Sequence, residues 1–134
     1  MKLSLAGGCL CGAIRYQISA EPRSADYCHC RMCRRAAGAP VVARLTVANE
    51  SFTWTTGEPV VYRSSEKAER LFCPKCGTQL ALRDEPEYLD VTLASLDVPE
   101  AVRPSYHIWI ASRIAWFEIA DDLPRHPESS RAEE

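Results

Sequence analysis

No stretch of this chain approaches the roughly 18 consecutive apolar residues of a membrane helix. The opening, Met1 to Gly8, has one charge and no apolar core of about 7 to 15 residues, so it makes a poor secretory signal. The chain is therefore expected to stay in the cytoplasm, away from membranes. It also has no basic excess. Sixteen Lys and Arg stand against 18 Asp and Glu, for a formal net charge of -2. That argues against a non-specific partner of nucleic acid or acidic membranes. Internal repeats are missing too, and the 25% charged fraction gives no reason to expect global disorder.

What is present suits one globular domain: 134 residues, 46% of them hydrophobic. We place the domain at 1–124 and read 125–134, polar and ending in Glu133-Glu134, as a flexible tail. The pattern is mostly period two, which favours an all-β fold. Ile14, Tyr16 and Ile18 alternate with more polar neighbours. Pro40 to Leu45, Phe52 to Thr55, Val60 to Tyr62, Arg70 to Phe72, Gln79 to Leu82 and Tyr88 to Leu93 read as strands. His107 to Ile110 and Ile114 to Ile119 complete the set. One short helix fits Met32 to Ala37, stopped by Gly38. Trp54, Trp116 and Phe117 are expected in the core.

Seven cysteines stand out in a chain expected to be cytosolic, where cysteine more often binds metal or reacts than forms disulfides. Seven is also odd, so a full disulfide framework would leave one thiol over. They fall into Cys9-Leu10-Cys11, Cys28-His29-Cys30-Arg31-Met32-Cys33 and Cys73-Pro74-Lys75-Cys76-Gly77. Two thiolates three residues apart, as in the last group, can grip one zinc from a tight turn. A structural zinc wants four ligands, and Cys9 with Cys11 is the economical second pair. An ideal strand would hold these two side chains roughly 6 to 7 Å apart. Zn–S bonds of about 2.3 Å need sulfurs under about 4 Å apart, so the chain must turn there, and Gly8 and Gly12 allow it. Cys28, Cys30 and Cys33 remain, one short of a closed site, and an open position is the mark of catalytic zinc. His29 or His107 could instead supply a fourth ligand, or the three thiols could act without metal in a redox role.

The sequence resembles the glutathione-dependent formaldehyde-activating enzymes, which share a domain with centromere protein V. The similarity rests on Gly8 to Gly12, Cys28 to Arg35, Gly38-Ala39-Pro40, Tyr62 to Ser65, Phe72 to Thr78, Ser95-Leu96-Asp97, His107 to Trp109 and Ala115-Trp116. It implies several small coiled antiparallel sheets around a four-cysteine zinc held by Cys9, Cys11, Cys73 and Cys76. It implies a second, catalytic zinc at Cys28, Cys30 and Cys33, hence two Zn²⁺ per chain. The implied activity is carbon–sulfur lyase chemistry, joining a small glutathione-like thiol to an aldehyde such as formaldehyde, or cleaving such adducts.

A coordinated thiol loses its proton, and the thiolate is the nucleophile for an aldehyde carbonyl. Arg34 and Arg35 are candidates to hold the thiol's carboxylates, with Arg31 beside them. His107 and Trp109, two apart on a presumed strand, are candidates to line the pocket. The competing reading is a non-enzymatic interaction module in which both zincs are structural.

Overall fold

The computed structural model describes residues 4–129. It has ten strands and one helix. The strands are β1 (Leu5–Gly8), β2 (Arg15–Ile18), β3 (Ser24–Cys28), β4 (Val42–Ala48), β5 (Phe52–Thr56), β6 (Val60–Arg63), β7 (Glu69–Phe72), β8 (Gln79–Arg83), β9 (Tyr88–Thr92) and β10 (Tyr106–Ile108). The helix α1 spans Arg31–Ala37 and ends at Gly38, whose left-handed backbone satisfies the Arg34 carbonyl. Strands form two open sheets, β1-β2-β5 and β10-β3-β4-β9-β8-β7-β6. All pairings are antiparallel except β10 with β3. No helix among the described residues is long and apolar enough to cross a membrane.

The two sheets share one core. Tyr16 and Ile18 from the small sheet, with Ile14 just before β2, meet Leu45, Val47, Leu80, Leu89 and Val91 from the large one. Tyr16 is fully buried, so its hydroxyl needs a partner and finds Ser95 Oγ at 2.6 Å. A Cβ at position 7 would collide with that hydroxyl and with the Ser95 carbonyl, which explains Gly7 inside a strand. Arg15 pairs with Asp97 beside it. The motif Ser95-Leu96-Asp97 is thus a fastening between the sheets.

β4 is buried on both faces. Leu45 and Val47 face the main core, while Arg44 and Thr46 face the other side. Arg44 there donates to both oxygens of Asp26 at 3.1 Å and lies 3.5 Å from Asp90. A buried guanidinium keeps its charge, so it needs such partners to offset the cost of leaving water. Above this face, Cys28, Cys33, Ala68, Leu82 and Ile108 make a second, smaller cluster under α1.

Several expectations need correction. Ile114 to Ile119 forms no strand: Phe117 N–H bonds back to Ile114 in a turn, and the Arg113 guanidinium takes the carbonyls of Ile114 and Ala115. Trp116 is 76% exposed rather than in the core. β10 stops at Ile108, because Trp109 adopts a left-handed backbone (φ 58°). His107 and Trp109 therefore share no strand face. The start of the expected tail is held: Pro124 to Glu128 exchanges five backbone hydrogen bonds with 107–111, from 2.8 to 3.2 Å. The rest of the tail, 130–134, lies outside the described residues.

Candidate metal centres

Cys9 and Cys11 turn on one loop, and Cys73 and Cys76 on another. The loops close in the same way. Cys9 N–H bonds Ile14 O at 3.1 Å and Cys73 N–H bonds Thr78 O at 3.0 Å. Each ends on a glycine with positive φ, Gly12 at 82° and Gly77 at 78°. Backbone N–H groups then point at sulfur: Ile14 N lies 3.2 Å from Cys9 Sγ, and Lys75 N lies 3.3 Å from Cys73 Sγ. Thr78 Oγ1 ties the loops together, accepting from Leu10 N at 3.0 Å and lying 3.2 Å from Cys76 Sγ. That hydroxyl and the local backbone pull the Cys76 thiol down to about 5, so it is ready to ligate.

All four sulfurs lie within 4.8 Å of one another. Cys9–Cys11 and Cys11–Cys73 stand 3.7 and 3.8 Å apart, close to the edge of a tetrahedron built on Zn–S bonds of about 2.3 Å. Four soft donors, N–H support and tetrahedral spacing fit a metal ion of zinc type.

Cys28, Cys30 and Cys33 gather elsewhere, again within 4.8 Å of one another. Cys28 ends β3. Cys30 caps α1, its sulfur accepting from Cys33 N at 3.2 Å. Cys33 faces down from the first turn and is buried. Among the described residues, no histidine nitrogen joins this trio at that spacing. Hydrogen bonds from Cys28 and Cys33 pull the Cys30 thiol far down, while the same contacts and burial push Cys28 up. Cys30 is the least buried sulfur of the three.

The trio opens on a cleft of about 600 Å³ that includes Arg31, Lys67, Arg70, Asp84 and Trp109 in its lining. Arg70 is the residue the sequence did not reveal. Both its Nη atoms lie 3.8 Å from Cys33 Sγ, and its Nε donates to Ser64 Oγ at 3.3 Å. Nothing local to Arg70 announces this, since it comes from β7, 37 positions away.

The other expected substrate contacts are scattered. Arg34 donates to the His29 carbonyl at 3.3 Å. Arg35 lines a neighbouring groove with Tyr62, Ser64 and Arg70. His107 is fully buried and does not line the cleft, whereas Trp109 does.

A family model described as glutathione-dependent formaldehyde-activating enzyme matches residues 4–112. The chain belongs to the glutathione-dependent formaldehyde-activating enzyme family. A relative from Halomonas elongata, named as a candidate enzyme of this family, is 27% identical over 128 residues, covering 86% of this chain and 80% of its own. An uncharacterized lyase of Schizosaccharomyces pombe is 39% identical over 75 residues, or 55% of this chain, and the match spans only 53% of that protein. A crystal structure of a Rhodobacter sphaeroides protein superposes with TM-score 0.58 at 26% identity, over 74% of this chain and 91% of that one. The family match takes in all seven cysteines and stops before the segment that packs beside β10 from Pro124 onward.

Proposed function

We propose that the chain is a zinc-dependent carbon–sulfur lyase-type enzyme that joins a small, glutathione-like thiol to an aldehyde such as formaldehyde, or cleaves such adducts. The observation that carries this reading is the convergence of three sulfurs, with no fourth side-chain ligand among the described residues, at the wall of a cleft that carries Arg31, Lys67 and Arg70. The lyase and formaldehyde-activating names of the relatives support it. Cys9, Cys11, Cys73 and Cys76 would hold one zinc in a closed tetrahedron. Cys28, Cys30 and Cys33 would hold the other, which would supply Lewis acidity and keep a bound thiol deprotonated.

The chain's own residues do the rest. The Arg70 guanidinium against Cys33 offsets the excess negative charge of three thiolates. Arg31 and Lys67 are placed to take a carboxylate of the thiol, Arg31 with two parallel hydrogen bonds. Asp84, in the same cleft, suits the ammonium group of a glutathione-like molecule. Trp109 gives an apolar wall for the carbon chain. In the reaction the thiolate sulfur bonds the carbonyl carbon. The C=O π pair moves to oxygen, which takes up the proton that the thiol lost. Cleavage runs the same steps backwards.

The test follows the approach to equilibrium of glutathione and formaldehyde by NMR. The wild type should accelerate it saturably. Cys30→Ser should return it to the uncatalysed rate with the fold intact. An unaltered rate in that variant removes the reading.

A further inference from the structure

The trio of cysteines has a support that lies far from it in sequence. His29 sits between Cys28 and Cys30 and is 1% exposed. It is fixed from three sides. Its N–H donates to Ile108 O at 3.0 Å, its carbonyl accepts from Arg34 Nε at 3.3 Å, and its ring Nε2 lies 2.9 Å from His107 Nδ1. His107, with no exposure, continues the chain: its Nε2 lies 2.9 and 3.2 Å from the two carboxylate oxygens of Asp121. Tyr27 stacks on the His107 ring at 5.0 Å and blocks its rotation.

Asp121 is itself anchored. One oxygen accepts from Leu123 N at 3.0 Å and from Arg125 Nη2 at 3.3 Å. Partial burial opposes its charge, yet these donors and His107 keep the carboxyl below its ordinary range. Just beyond, 124–128 bonds along 107–111 and carries the carboxylate into place.

This arrangement has a direction. A carboxylate only accepts, so His107 carries its proton on Nε2. Its Nδ1 then accepts from His29 Nε2–H. With Nε2–H spent on His107, the other ring nitrogen of His29, Nδ1, is left as a buried polar atom. That atom has no hydrogen-bond partner among the described residues. The order of hydrogen bonds thus sets the tautomer and the angle of the ring that separates two of the three sulfurs, as a partner beyond the ligands commonly does at metal sites.

We propose that His107 and Asp121 are positioning residues of the Cys28/Cys30/Cys33 centre, acting through His29, and that the segment 121–128 is a working part of that centre. The inference rests on reading the trio as a metal-holding reaction site. It extends that site past residue 112, where the family match ends.

The test uses the full chain with zinc as the only added ligand. Chelator competition gives the zinc affinity of each cysteine group, and ¹⁵N spectra of the imidazoles give the tautomers. Both rings should show Nε2–H in the wild type. Asp121→Ala should lower the trio's zinc affinity about tenfold, the low end for loss of an outer partner, and scramble the ring signals while the quartet keeps its zinc. Asp121→Asn retains an acceptor and should recover both. Unchanged affinity or unchanged ring signals in Asp121→Ala overturns the proposal, as does failure of Asp121→Asn to recover them. Loss of the quartet's zinc together with the trio's would make the segment a general folding element and also overturn it. One zinc per wild-type chain, seen before any substitution, would bring down the underlying reading of the centre as well.

Discussion

The two cysteine groups use the same atoms in opposite ways. The quartet draws ligands 62 positions apart into two matched turns, each closed by a left-handed glycine and lined with N–H donors to sulfur. Its four sulfurs have the spacing of a tetrahedron's corners, and its loops join the small sheet to the large one. The trio comes from six consecutive residues, from the end of β3 to the first turn of α1. It has three donors, a half-buried guanidinium fork against one of them, and a cleft in front. Long-range closure makes the first group a fastening, because an unfolded chain without metal must bear the loop entropy alone. The second group is local in origin and open on one side, the arrangement the proposed reaction needs.

The contrast can be broken at several points. The largest effect is expected for Cys73→Ser. A structural zinc contributes about 10–16 kcal/mol, against a net stability of about 5–15 kcal/mol, so this variant should not fold. A cooperative thermal melt like the wild type's would contradict that. Next comes stepwise chelation. Increasing chelator should abolish turnover before it disturbs the circular dichroism spectrum, and simultaneous loss of both would erase the distinction between the groups. Arg70→Gln should follow. Losing charge-assisted contacts of about 1.5–3 kcal/mol lowers kcat/KM by about 10- to 100-fold, with zinc content unchanged. Arg70→Lys should recover part of it, because charge returns without the fork. The smallest effect belongs to Thr78→Val, which removes one hydrogen bond between the quartet's turns and one to Cys76 Sγ within its own turn. It should cost about 1–2 kcal/mol and a few degrees of Tm with turnover intact.

The division of the cysteines was legible because spacing and flanking glycines carry it locally. The helix was legible too, from Met32 to Gly38, as were most strands with alternating apolar residues. β1 escaped because Ala6, Gly7 and Gly8 are poor strand formers, and their place is decided by Tyr16 and Ser95 from elsewhere. β3 escaped because Asp26 looks like a surface residue until Arg44 is brought beneath it. Arg70, and the link from His29 through His107 to Asp121, could not be read from sequence at all. Each joins residues far apart in the chain, and no local period marks them.

Metal content counted by group tests the central division most directly: zinc per chain in freshly purified reduced protein, for the wild type and for the chain with Cys28, Cys30 and Cys33 all replaced by Ser. The account predicts two zincs falling to one, with the circular dichroism spectrum unchanged and turnover gone. A single zinc in the wild type, or a triple variant that unfolds, would contradict it.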